Sequence, residues 1–271
     1  MAESDASGGM IETIRQFSAE SSPIDFVIIL EHGDLFLMGL VQTVALVGLA
    51  LVIGGALSIP LSLIRAYRHP VLNPIVWVYT YTFRGTPLLL QLYLIYYGLG
   101  QFEAVRESFL WPIMRDAWWC TLFAFVLNTC AYTTEILRGA IDATPWGEVE
   151  AAKAAGMSPA TRVRRIILPS AFRRALPQYS NEVIFMLHGS VVASTVTVQD
   201  ILGVGWTLNG KYYLAYEGFI AAAVLYALLV WGISRLFRYL ERRYLSHLRP
   251  RDGSSGGGKR GPKAPSPQPA T

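Results

Sequence analysis

Residues 127–136 read LNTCAYTTEI and residues 176–188 read LPQYSNEVIFMLH. In the first stretch Asn128, Tyr132 and Glu135 fall at i, i+4 and i+7. In the second, Gln178 and Glu182 fall at i and i+4, so each set draws one polar stripe along a helix. Both stretches stand in apolar surroundings, in a 271-residue chain that is 52% hydrophobic and 15% charged. A soluble chain carries roughly 25% charged residues, so lipid is the solvent for much of this one. Counted along helices, Asn128 lies about 16 Å from one end of its segment and Glu182 about 20 Å from Pro169, near the middle of a bilayer. Polar groups at that depth face a bundle interior or a water-filled cavity. The chemistry on offer is recognition of a polar solute. Asn128, Glu135, Gln178 and Glu182 are the candidate lining of a path, with Glu182 able to pair with a cation. The structural alternative is a hydrogen bond or an ion pair inside the protein, with Arg84 as the partner.

Bond-making chemistry finds no support. No nucleophile, base and oxyanion donor are arranged as an enzyme needs. GSSGGGKR at 253–260 fits part of a phosphate-loop pattern, but Arg260 stands where magnesium needs Ser or Thr, and no strand precedes it. His188 reads as a packing residue, and no metal-ligand spacing accompanies it. Cys120 and Cys130 sit ten positions apart in one segment, about 15 Å along a helix, too far for a disulfide.

A second kind of signal lies in EVEAAKAAGMSPATRVRRIILP at 148–169, a charged, alanine-rich insert between apolar blocks. Thr144-Pro145 followed by Glu148 and Glu150 reads as an N-cap, a proline at the first helical position and acids suited to the helix dipole. A helix over about 145–156 ending at Gly156 follows, with glycine in the left-handed closing position. Ser158-Pro159 repeats the start signal and leads to Leu168-Pro169. Glu148, Ala151, Ala152 and Ala155 share one face of the first helix, acidic at one end and small elsewhere. It reads either as a solvated loop helix or as a docking peg for another protein.

FRGTP at 83–87 interrupts another apolar stretch. Pro87 removes a helix hydrogen bond and pushes Thr86 out of helical angles, and Gly85 adds freedom. A kink or break is expected there. Arg84, Gly85 and Pro87 form either a structural kink or a hinge beside the path.

Five apolar stretches are long enough to cross a bilayer, given that about 20 residues suffice: 35–64, 74–100, 117–141, 169–194 and 214–237. Basic residues alternate between the sides. Arg65 and Arg68, then Arg138, Lys153, Arg162, Arg164 and Arg165, then Arg235 to Arg251 fall on one side, which the positive-inside rule makes cytoplasmic. Five spans place the N-terminus outside and the C-terminus inside. The expected class is thus an all-α integral membrane protein. It has a polar extension over 1–34, without the features of a signal peptide, a membrane domain over 35–245, and a disordered Gly/Ser/Pro-rich tail over 246–271. Residues 101–116 and 196–213 are read as outer loops.

Glu150-Ala151-Ala152, Gly156, Ile166, Leu168 and Pro169 resemble, without departure at these positions, the signature of membrane subunits of ABC importers. FRGTP and the five-span plan resemble the polar amino acid branch. LNTCAYTTEI and LPQYSNEVIFMLH resemble more narrowly the M-type subunit of histidine, lysine, arginine and ornithine importers, together with octopine and nopaline importers. The resemblance covers about residues 35–245. It implies a type I importer fold in a bacterial inner membrane. Glu150, Ala151, Ala152 and Gly156 would lie on a coupling helix docked in an ATPase. The implied partners are two ATP-binding subunits, a second homologous permease, a periplasmic binding protein and an amino acid substrate, with no nucleic acid. It implies no cofactor or metal of the chain's own, ATP being bound by the partner. Opines or another amino acid class stand as the alternative substrate. A self-sufficient secondary carrier would show an internal repeat, and none is visible.

Overall fold

The computed structural model describes residues 26–213 and 216–244, and within them all regular structure is helical. After a short helix, Phe26–Glu31, comes α1 (Gly33–Ala66), then α2 (Leu72–Gly85) and α3 (Leu88–Tyr93), which runs on through a π turn at Leu94–Gly98. Two one-turn helices, Glu103–Arg106 and Trp111–Met114, precede α4 (Ala117–Asp142). A short helix α5 (Trp146–Ala154) follows. Pro159–Arg162 and a π turn at Val163–Ile167 then lead into α6 (Leu168–Gly189). A 3₁₀ turn at Ser190–Val196, α7 (Ile201–Tyr212) and α8 (Glu217–Tyr244) complete the described chain.

Each of the five apolar stretches becomes helix, although the last runs on to Tyr244, seven residues past its expected end at 237. Three helices, α1, α4 and α8, are long and apolar enough to cross a membrane singly, and the bent pair Pro159–Val196 and Ile201–Tyr212 makes a fourth if taken as one span. The stretch at 74–100 is divided at Thr86–Pro87 into α2 and α3, so neither piece reaches spanning length alone. Residues 1–25 and the tail at 246–271, with its phosphate-loop-like stretch, lie outside the described residues.

α4 is the centre of the bundle. Its most extensive neighbour is α1, and α6, α2 and α3 also pack on it. The α1 face turned to the bundle carries many small residues, Gly39, Thr43, Ala50, Gly54, Ser58 and Ser62, with Phe36, Leu46 and Val47 buried among them. At Gly54 a Cβ would fall 2.4 Å from Thr129 Cγ2 and 3.0 Å from the Val126 carbonyl, so glycine is what allows the two backbones to meet. Leu37, Met38, Val41, Val52 and Leu57 point outward instead. Small residues at the helix contact and large apolar ones toward the outside are expected in lipid, where burial of apolar area between helices gains little and close backbone approach gains more. α8 likewise exposes Val224, Leu228 and Trp231.

α7 corrects the reading of 196–213 as loop. Thr197 turns the chain at φ 69. Asp200 then caps α7 by accepting from the Gly203 amide at 2.7 Å, and Ile201, Val204 and Leu208 bury one face. Twelve residues are too few to span a bilayer but enough for an amphipathic helix. Cys120 and Cys130 are buried and free.

Candidate functional site

The break between α2 and α3, the second half of α4 and α6 from Arg174 to Gly189 border an open cavity of ≈ 1020 Å³. Asn128, Glu135, Gln178 and Glu182 all border it, and so do Arg84 and Pro87. Gly85 does not line it. A Cβ there would meet nothing within 4 Å and its φ is not positive, so no steric need for glycine exists at that position.

The break follows from the sequence. Thr86 is extended at φ −112, ψ 145, as a residue before proline must be. What sequence reasoning missed is the side chain that repairs the break. Gln91 Nε2 points at the Phe83 carbonyl (2.8 Å), the Thr86 carbonyl (3.0 Å) and Thr86 Oγ1 (2.7 Å). Its Oε1 accepts from Asn128 Nδ2 at 3.0 Å. A lone glutamine within LLLQLY, four residues after Pro87, was the available signal. Asn128 is therefore held by the break as well as facing the cavity. Tyr132 ties the same region by donating to the Arg84 carbonyl at 3.2 Å.

The two carboxylates have different surroundings. Glu135 is fully engaged. Arg65 Nε donates to it at 2.8 Å, Arg138 Nε at 2.7 Å, and Thr80 Oγ1 at 3.2 Å. It joins the end of α1, α2 and α4, and Arg65 also donates to Asn73 Oδ1 at 2.7 Å. Glu182 is buried at 5% exposure and accepts from Thr129 Oγ1 at 3.2 Å. Among the described residues it makes no ion pair. Arg84 does not supply one, because its guanidinium lies 5.4 Å above the Tyr132 ring. Of the structural alternative, the hydrogen bond is present, from Thr129, while an ion pair with Arg84 is not formed.

Below the cavity, α5 is the helix expected over about 145–156, with one correction. Its N-cap is Pro145 (φ −58, ψ 130), without a side-chain cap. Thr144 is drawn back by its amide bonding the Ile141 carbonyl at 3.0 Å, and its buried hydroxyl has no partner among the described residues. The other end matches the expectation. Gly156 has φ +73. The Met157 amide bonds the Ala152 carbonyl at 3.1 Å, and the Gly156 amide bonds the Lys153 carbonyl at 2.9 Å, the paired bonds of a Schellman turn. Ser158 caps the next turn by accepting from the Thr161 amide at 3.3 Å.

Glu148, Ala151, Ala152 and Ala155 line a groove of ≈ 540 Å³ formed with Arg165, Ser170 and Arg174 of the same chain. Ala152 is buried there. The opposite face carries Trp146, Glu150 and Lys153, all exposed, with Lys153 Nζ 5.8 Å above the Trp146 ring. The four signature residues are therefore not equivalent: Ala151 and Ala152 border the groove, while Glu150 and Gly156 face outward.

Residues 58–246 match the family described as binding-protein-dependent transport system inner membrane component. The chain is 42% identical over 219 residues to the octopine transport system permease protein of Rhizobium radiobacter, covering 81% of this chain and 89% of that one. It is 45% identical over 213 residues to the histidine/lysine/arginine/ornithine transport system permease protein of Escherichia coli strain K12, covering 78% and 90%. The fold is similar, at a TM-score of 0.72 and 32% identity, to a chain in the crystal structure of an amino acid ABC transporter with histidines, over 81% of this chain and 99% of that chain.

Proposed function

The chain belongs to the family of binding-protein-dependent transport system inner membrane components, and on that premise we propose that it is the permease subunit of an ATP-driven importer of basic amino acids. It is a transporter subunit and not an enzyme, with ATP hydrolysis residing in a partner. The observation that carries the substrate class is Glu182. A carboxylate buried beside a large cavity, bonded to one hydroxyl and in no ion pair, with Arg84 acting on it only from longer range, is a costly arrangement in a medium of low dielectric. A cationic side chain passing through the cavity would supply the missing charge. The names of the E. coli and R. radiobacter relatives point to the same class, and to opines as the second reading.

In this reading the chain crosses a bacterial inner membrane five times. The fifth crossing is the broken pair α2–α3, and the N-terminus is periplasmic and the C-terminus cytoplasmic. Residues 35–245 form the membrane domain. The partners are two ATP-binding subunits, a second homologous permease and a periplasmic substrate-binding protein. Glu150, Ala151, Ala152 and Gly156 form the coupling element through which ATP-driven closure reaches the membrane helices. Closure opens the path to the periplasm, and hydrolysis returns it to the cytoplasm. Asn128, Gln178 and Glu182 line the path. Glu135 holds the helices around it, and Arg84 and Pro87 border the hinge.

The test is reconstitution in proteoliposomes with the ATPase, second permease and binding protein of the same transporter. ATP-dependent accumulation of radiolabelled arginine is expected, with leucine not accumulated and octopine tried as competitor. Accumulation that needs neither ATP nor binding protein would instead make the chain a secondary carrier.

A further inference from the structure

Ser170, Arg174, Gln178 and Glu182 follow one another on α6 at intervals of four residues, a continuous polar stripe about 18 Å long. Its upper members border the cavity and its first member touches α5. Ser170 Oγ donates to Glu148 Oε2 at 3.0 Å, and Arg174 donates through a terminal guanidinium nitrogen to the same Ser170 oxygen. Arg174 is the joint of this chain of contacts, because it lines both the cavity and the groove under α5. Its Nε is buried and has no hydrogen-bond partner among the described residues. A buried guanidinium N–H left unsatisfied is unfavourable, so the side chain has donor capacity that a second arrangement can use. The groove supplies such an arrangement. Glu148 and Arg174 face it from opposite elements and are separated here only by the Ser170 hydroxyl.

The geometry points to Arg174 as the positioning residue that carries motion of α5 into the cavity. When the groove closes, the serine-bridged contact becomes a direct Glu148–Arg174 ion pair, and the guanidinium withdraws from the cavity below Gln178 and Glu182. When the groove opens, Arg174 returns. This rests on the reading of α5 as the coupling element and adds the route inside this chain.

The experiment uses the complete transporter in proteoliposomes and measures ATP hydrolysed per arginine imported. Glu148→Gln, Ser170→Ala and Arg174→Gln should each raise that ratio at least fivefold. Ser170→Thr, which keeps the hydroxyl, should stay within twofold of the parent. The double variant Glu148→Gln/Arg174→Gln should be no worse than the poorer single one, because both act on one contact. Ratios unchanged in the three single variants, or single effects that multiply in the double variant, would overturn the route. A variant that fails to assemble is replaced by Arg174→Lys, which keeps the charge but offers a point donor and should raise the ratio by an intermediate amount. If Gly156→Val abolishes import while these ratios stay at the parent value, the coupling role of α5 stands and the route through Arg174 falls. If Gly156→Val and Glu150→Lys both import normally, the underlying reading fails first.

Discussion

Gln91 Nε2 donates to the Phe83 carbonyl at 2.8 Å, reaching back across the Thr86–Pro87 break to the last turn of α2. Proline removes the main-chain amide that would have bonded there, and the amide side chain replaces it while accepting from Asn128 at 3.0 Å. The broken helix is thus rejoined by a side chain that also orients a cavity residue.

Substituting Gln91→Leu should therefore loosen the break. It removes the side-chain donor to the Thr86 carbonyl and the Gln91 acceptor of Asn128, and leaves the Phe83 carbonyl only the longer 3.5 Å contact from Asn128. Each buried polar group left unsatisfied costs about 1–3 kcal/mol. The check is a lower Tm for the purified complex in detergent. Asn128→Ala added to Gln91→Leu should cost less than the sum of the two single changes, since they share a bond. An unchanged Tm would show that the break is held by other contacts.

Glu135→Gln should act on assembly. The Glu135 and Arg65 side chains are 10% and 13% exposed, and Arg138 adds a second ion pair at 2.7 Å. Removing one partner of a buried pair costs on the order of 3–5 kcal/mol, and the exposure of Arg138 places this case toward the low end. The amount of assembled transporter and its Tm should fall while the preference for arginine over neutral amino acids persists. Loss of that preference with normal assembly would return Glu135 to the path.

Glu182→Gln should do the reverse. Glutamine can keep the acceptor facing Thr129 Oγ1, now 3.2 Å away, but loses the charge. A charge-assisted bond contributes about 1.5–3 kcal/mol, so arginine uptake should fall roughly tenfold or more relative to a neutral amino acid. Competition between labelled arginine and unlabelled neutral amino acids reads this directly. Unchanged uptake and unchanged preference would sink the role given to Glu182.

The outline of the fold was legible because apolar runs mark the long helices, though not the polar last turns of the helix ending at Tyr244, and the proline rule located the break at Thr86. The signature loop was legible because Gly156 and Ser158 act within four residues of their partners. What escaped depends on distance in the chain. Arg65 and Arg138 read as loop charges, yet they converge on Glu135, and Arg65 does so from 70 positions away. Gln91 bonds carbonyls behind it across a break, which no helical periodicity describes. α7 lies in a segment too short to span a bilayer, although Asp200 is a good N-cap and Ile201, Val204 and Leu208 form an apolar stripe. Thr144 reads as a cap, but Pro145, at φ −58 and ψ 130, takes the N-cap position before Trp146.

Gly156→Val tests the turn that closes α5. A Cβ at Gly156 would meet nothing within 4 Å, so crowding is not the obstacle. The obstacle is the backbone, since φ +73 costs an L residue about 1–2 kcal/mol, and a β-branched one more. That penalty falls on a short exposed turn, so membrane insertion and recovery with the second permease should be normal while ATP-driven uptake is lost. Gly156→Asn, which tolerates left-handed angles, should retain most uptake. Glu150→Lys reverses an exposed charge on the outward face of α5 without touching the turn, and should also abolish uptake with assembly intact. Wild-type rates in both Gly156→Val and Glu150→Lys would mean that α5 is not the surface on which the ATPase acts.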